Sequence, residues 1–298
     1  MMMNNNKVNI ICTSKPGDGL LHYSYEHCSY LNQLNINTKL IIVTHPKHSE
    51  DDYTKAIKNK YIHFENVVFN EYNPKSNEIT LIMGRSMLTL PYLNKKDYTW
   101  NQLLTLQLLF KNNLISVYSE NHPKEYKEAI DYFKPKSIFD LCDLEVYPNG
   151  VGKQFEKIIN FSIYKPIEKK TNFKFKYLFL GCNKVYYDAI QKVIKDYPSH
   201  GILAYDDDYL DPNNNHVFVP VENLLGSFDT YVYTKPNFDP APRLMQECRY
   251  FNKGFIYLRD KNIQDGGSVY FKRPTNCLTD KVNKRNIDVL ISEINNVG

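Results

Sequence analysis

The sequence predicts an α/β protein built as two Rossmann-like halves, and three observations carry that prediction. Segments of strand character alternate with segments of helical periodicity along the whole chain. Each half opens on a strand that runs through a loop into a helix. Polar residues gather just after the strands, where open parallel sheets bind their ligands. With 298 residues, the chain is long enough for one large core or two modest ones.

Lys7–Thr13 (KVNIICT) reads as a buried strand opening on the loop Ser14–Gly19 (SKPGDG). A helix is predicted from about Leu20 to Leu34 and a strand from Thr38 to Thr44. This is a βαβ unit with glycine in its first turn, the start of a doubly wound sheet. It is not a G-x-G-x-x-G fingerprint, because Gly17 and Gly19 are followed by Leu20, Leu21 and His22. Two glycines in such a turn usually serve the turn alone. An amphipathic segment (Asp51–Lys60) and strand-like runs at His63–Phe69 and Glu78–Met83 follow. Trp100–Phe110 reads as a helix whose leucines surround it, so it belongs inside. The first half closes with a strand (Leu114–Tyr118), a helix (Lys124–Phe133) and a strand (Ser137–Leu141). Glu120, Asn121 and His122 follow one of these strands, and Asp140 and Asp143 the next. They are candidates for ligand contact, with turn-forming and capping duties as the alternative.

Tyr147–Gly150 is a turn, and Val151–Phe161 reads as helical. Residues 1–150 are taken as the first domain, 151–280 as the second and 281–298 as a basic C-terminal helix. Lys165, Lys169, Lys170, Lys174 and Lys176 interleave with Phe173, Phe175 and Tyr177. That pattern fits nucleic-acid binding, and equally a solvated linker entering an alternating strand. The second half then runs through a strand (Lys176–Gly181), a helix (Lys184–Tyr197) and a strand (His200–Tyr205). Asp206, Asp207 and Asp208 read as a polar loop, since no oxygen-ligand spacing follows them. His216–Pro220 is a further short strand and Val221–Leu225 a short helix.

Phe228–Leu258 is the most informative stretch. Phe228–Tyr233 is rich in aromatic and β-branched residues, and Lys235-Pro236-Asn237 breaks it. Asp239 fits an N-cap, Pro240 the first helical position, and Leu244, Glu247, Cys248 and Phe251 recur at helical spacing. Gly254 is expected to end the helix before the strand Phe255–Leu258. A strand feeding a helix through a tight loop presents backbone N–H groups to an anion. Arg243 in the first turn is placed to clamp a phosphate, and Glu247 one turn later to accept bonds from sugar hydroxyls.

Composition narrows the function classes. The net charge of +4 permits phosphate-bearing partners without requiring them. Cys12, Cys28, Cys142, Cys182, Cys248 and Cys277 are widely spaced with no C-x-x-C, which argues against a zinc site or a disulfide framework. The opening MMMNNNK lacks an apolar signal core, and no run approaches the ~18 apolar residues of a membrane span. A cytoplasmic location with reduced thiols is the expectation.

Asp239 and Glu247, with Pro240 after the first acid, resemble the E-x7-E motif of retaining GT-B glycosyltransferases, with Asp in place of the first Glu. The resemblance implies two Rossmann-like domains facing across a cleft, the first for the acceptor and the second for a nucleotide-sugar. It implies catalytic roles for Asp18, His122 and Asp239, and donor binding by Arg243, Glu247, Lys184 and Gly181. Acceptor contacts would come from Gly17, Gly19, His22 and Glu120. It also implies no metal and no cofactor beyond the donor, because cationic side chains and a helix N-terminus neutralise the departing diphosphate. In size and layout the chain further resembles phage enzymes that glycosylate hydroxymethylated bases in double-stranded DNA. The competing readings are a transferase acting on a cell-surface glycan and a non-catalytic nucleotide- or DNA-binding protein.

Overall fold

The computed structural model describes residues 7–16, 18–70, 75, 78–83, 106, 113–118, 124–140, 153–154, 158–167, 175–181, 184–203, 224–236, 243–258 and 280–297. The chain forms two compact units, Met1–Lys165 with Thr279–Gly298, and Pro166–Leu278. The units divide after Lys165, within the stretch from about Gly150 to Phe173 where the sequence places the boundary, and the C-terminal helix groups with the first unit.

The first unit contains β1 (Val8–Cys12), α1 (Gly19–Gln33), β2 (Thr38–Ile42), α2 (Glu50–Lys60), β3 (Val67–Phe69), β4 (Ile79–Met83), β5 (Asn113–Tyr118), α3 (Lys124–Phe133), β6 (Ser137–Asp140) and β7 (Lys153–Gln154). Its sheet has the order β3-β2-β1-β4-β5-β6-β7 with every pairing parallel. β1 is central and buried along its whole length, apolar except for Asn9, as expected of a strand covered on both faces of a sheet. The strand order reverses between β1 and β4, so their carboxyl ends form the crevice where doubly wound folds take ligands.

The second unit contains β8 (Phe175–Leu180), α4 (Lys184–Gln191), β9 (His200–Leu203), α5 (Leu224–Ser227), β10 (Phe228–Tyr233), α6 (Arg243–Tyr250) and β11 (Gly254–Tyr257). Its sheet, β11-β10-β8-β9, is also fully parallel and reverses between β8 and β10. Alternation along the strands builds two cores. Leu178, Leu180, Tyr231 and Tyr233 pack with Leu244, Met245 and Cys248 of α6 on one face. Phe179, Val232 and Ile202 pack with Ile190 of α4 on the other. Gly201 lies so close beneath Phe175 that a Cβ there would stand 2.7 Å from its ring. The last helix, α7 (Asp280–Val297), buries Ile287, Leu290 and Ile294, and its Glu293 pairs with Lys153 at β7.

Three local expectations are corrected. The described part of Val151–Phe161 departs from the expected helix: Lys153–Gln154 joins the sheet beside β6, and among the described residues a 3₁₀ turn (Phe161–Ile163) follows. Edge pairing and the burial of Ile158 and Ile159 override the local helical pattern there. The helix predicted to reach Tyr197 stops at Gln191, followed by a 3₁₀ turn at Ile194–Asp196. Gly254 does not end α6 but opens β11, and Asn252 at φ 54° makes the helix stop instead. The leucine-rich segment Trp100–Phe110 lies outside the described residues apart from Leu106, which is helical and fully buried.

Candidate active site

In the first unit, Asp18 caps α1, its Oδ1 accepting from Leu20 N–H at 3.0 Å. Asp18 is exposed and Gly19 is half-buried as the first residue of the helix, so both lie at the carboxyl end of β1 where the strand order reverses. His22 is placed differently from the expected acceptor contact. It is 1% exposed, and its ring stands edge-on to Tyr61 at 5.6 Å. One turn later Glu26, fully buried, accepts from the hydroxyls of Tyr61 (2.8 Å) and Tyr164 (2.7 Å). That triad fastens residues 158–165 to α1 and gives this part of the helix a structural duty. Gly17, Glu120, His122 and Asp239 lie outside the described residues.

In the second unit the described site residues surround the reversal between β8 and β10. Gly181 follows β8, and its N–H donates to the Leu203 carbonyl at 2.9 Å. A Cβ there would come within 2.6 Å of Ile202, so the close packing of β8 on β9 requires glycine at this position. Lys184 opens α4, exposed and paired with Asp188 at 2.7 Å. Lys235, just after β10, holds its ammonium 5.6 Å from the Tyr186 ring of α4. In the sequence Lys235 reads as a strand breaker, although a cation after a central strand is also a visible signal.

Arg243 and Glu247 are brought together. They are one turn apart on α6, with Arg243 Nε donating to Glu247 Oε1 at 2.7 Å and side chains 9% and 5% exposed. The helix comes straight after β10 in a parallel crossover, so its first turn lies toward the carboxyl edge of the sheet. Gln246, between them in sequence and fully buried, was missed. α6 therefore carries apolar Leu244, Met245 and Cys248 into the core and also buries the polar Gln246 and Glu247. A buried ion pair contributes little net stability, since desolvation offsets its Coulomb attraction. Arg243 offers a guanidinium suited to phosphate oxygens, and Glu247 a carboxylate suited to paired hydroxyls.

The described end of the lysine–aromatic stretch, Phe175 to Tyr177, opens β8. Phe175 is buried, Tyr177 packs edge-on to Tyr197 at 5.0 Å, and Lys176 lies over the Tyr177 ring at 5.3 Å. Those rings belong to the core and its border, so they are not available as a base-stacking platform. Lys169, Lys170, Phe173, Lys174 and Asp206–Asp208 lie outside the described residues. Among the described residues no helix is long and apolar enough to cross a membrane, and no three His, Cys, Asp or Glu side chains cluster as metal ligands.

No protein-family model matches the sequence, and no curated protein matches it. Among solved structures the chain is similar to an alpha-glucosyltransferase in complex with UDP and a 13-mer DNA containing a HMU base, at 12% identity and a TM-score of 0.41 over 85% of this chain and 66% of that one. It is similar to a putative UDP-N-acetylglucosamine 2-epimerase from Listeria monocytogenes, at 9% identity and 0.45 over 98% and 91%. A glycosyltransferase from Rickettsia africae aligns at 12% identity and 0.43 over 98% and 94%. The chain thus spans just under two thirds of the length of the first of these enzymes.

Proposed function

We propose that this chain is a GT-B glycosyltransferase that moves a sugar from a nucleotide-sugar donor to an acceptor hydroxyl. The observation that carries the reading is the buried Arg243–Glu247 pair on the helix following β10, eight residues after Asp239 in the D-x7-E spacing. Arg243 then holds the diphosphate, Glu247 the ribose and Asp239 the transferred sugar. The bond from the anomeric carbon to the diphosphate oxygen breaks with its electron pair leaving on the diphosphate. The acceptor oxygen bonds the oxocarbenium-like carbon, and its proton passes to the departing diphosphate oxygen. Arg243, supported by Lys184 and the start of α6, neutralises the leaving charge without a metal ion. Asp18 and Gly19, at the reversal of the first sheet, serve the acceptor together with Gly17, Glu120 and His122.

Calorimetric titration of a nucleoside diphosphate into wild type, Glu247→Gln and Arg243→Ala tests the donor site. Losing a charged hydrogen bond costs about 1.5–3 kcal/mol, so each variant should bind about tenfold or more weakly. Unchanged affinity in both folded variants would sink the assignment. Slow hydrolysis of the nucleotide-sugar by the wild type separates a transferase from a mere binder.

For the acceptor we propose a hydroxymethylated base in duplex DNA. The support is the net charge of +4 and the exposed Lys284 and Arg285 on α7. A base inside a duplex must be flipped out to reach the donor, at a cost of a few kcal/mol. Radiolabelled donor is to be offered with unmodified DNA, hydroxymethylated DNA and lipid-linked glycans. Label in glycan and in neither DNA ends the DNA reading and leaves the transferase reading standing.

A further inference from the structure

We infer that Gln246 is a base-reading residue, whose carboxamide pairs with the hydrogen-bonding edge of the donor's nucleobase; this rests on the reading of the second unit as the nucleotide-sugar unit. Gln246 is fully buried, and neither its Oε1 nor its Nε2 has a hydrogen-bond partner among the described residues. Buried amides are almost always partnered, because an unpaired donor or acceptor loses its water without replacement. A side chain of this size kept only for packing would be better served by leucine or methionine, which carry no such group. The residue sits next to Glu247 and three positions after Arg243, so it shares their stretch of helix. Those two charges are bonded to each other.

The chemistry of the carboxamide selects its partner. It presents one acceptor and one donor side by side, a pattern matched by an edge that carries a donor beside an acceptor. Diphosphate oxygens accept and do not donate. An acetamido group on a sugar is trans, with its N–H and C=O on opposite sides, so it cannot meet both atoms at once. A nucleobase does offer a donor and an acceptor on one edge, and glutamine binds such edges in bidentate fashion. With Glu247 on the ribose, the base lies one bond away from a group already held on this helix.

The test compares wild type with Gln246→Leu by calorimetry, using UDP, CDP, GDP, ADP and inorganic pyrophosphate as probes. Gln246→Leu should bind the wild type's preferred nucleoside diphosphate at least tenfold more weakly and flatten the ranking among the four bases. Pyrophosphate affinity should stay the same, and the thermal midpoint of the free protein should hold or rise as the unpaired amide is removed. Gln246→Met carries the same comparison should the leucine variant not fold. Equal nucleotide affinity in wild type and variant overturns the inference and leaves the transferase reading intact. An equal loss for pyrophosphate also overturns it, since that would make Gln246 a structural prop. A folded wild type that binds none of the four nucleotides overturns the inference and the donor-site reading together.

Discussion

Glu78 illustrates how one buried residue ties the first unit together. Its carboxylate accepts from the Lys7 ammonium at 3.0 Å and from the fully buried Asn9 amide at 2.9 Å. Burial pushes its pKa up, but the bonds from Asn9 and Lys7 outweigh that, and the group lies below its ordinary value of 4.5. A carboxyl depressed in the folded state stabilises fully above its unfolded pKa and loses that contribution as pH falls through the folded one. Glu78→Ala should therefore cost about 1–3 kcal/mol at neutral pH, largely by stranding Asn9. In urea melts the gap to wild type should narrow on acidification below pH 4.5; a gap independent of pH would contradict the assignment. The thiols follow the same logic. Burial raises Cys12 to about 11 and Cys28 to about 12, and it holds Cys248 well above the usual thiol range. Mass-spectrometric mapping should find these three unalkylated by iodoacetamide at pH 8 until the protein unfolds. Gln246 was not legible, because a glutamine on a helix looks like a surface residue until its burial is seen.

At the scale of elements, periodicity and turn chemistry carried most of what could be read. β1, α1, β2, α2, α3, β8 and β10 lie within a few residues of their predicted limits, since each has a clean apolar pattern and a recognisable end. The errors cluster where tertiary contact decides. β7 exists only because Phe139 and Asp140 pair with Lys153 and Gln154, which no local pattern announces. α1 carries Ser24, Glu26 and His27 into the interior, where the Ser24 hydroxyl meets the Leu20 carbonyl, Glu26 two tyrosines and His27 Nδ1 the Tyr23 carbonyl. The stop of α6 was misread for another reason. With only 12 glycines, the chain uses asparagine for left-handed positions, at Asn35, Asn66, Asn70 and Asn252. At α6 the Asn252 N–H donates to the Arg249 carbonyl and the Lys253 N–H to that of Cys248, which closes the helix end. Asn252→Ala should cost about 1 kcal/mol, whereas Asn252→Gly should be neutral or stabilising. Thermal melts of both variants check this, and equal loss in both would deny the left-handed role. Gly254 matters for packing instead: a Cβ there would lie 2.4 Å from Thr230 Oγ1, its neighbour across the strand pair.

Over the whole molecule, the two reversing parallel sheets were legible because βαβ repeats allow few alternatives, while the affiliation of the last helix was not. Nothing local in Asp280–Val297 says which unit its apolar side meets. The structure groups it with the first, through buried Ile287, Leu290 and Ile294 and the pair of Glu293 with Lys153. Lys153, joined by Ser137, also holds the Glu293 carboxyl below its usual range. This arrangement makes the stability of the first unit depend on residues at the far end of the chain, while the second unit has its own sheet and cores. Leu290→Ala removes a fully buried side chain and should cost about 2–5 kcal/mol. Hydrogen exchange should then quicken in β1, β4 and α1 while β8, β10 and β11 keep wild-type protection. A nucleoside diphosphate should act in the opposite place, slowing exchange in β8, β10 and α6 and leaving β1 unchanged, because a ligand stabilises the unit that binds it. Quickened exchange spread evenly over both sheets in Leu290→Ala would mean that the units unfold as one. Nucleotide protection confined to β1 and β4 would move the donor to the first unit and overturn its assignment to α6.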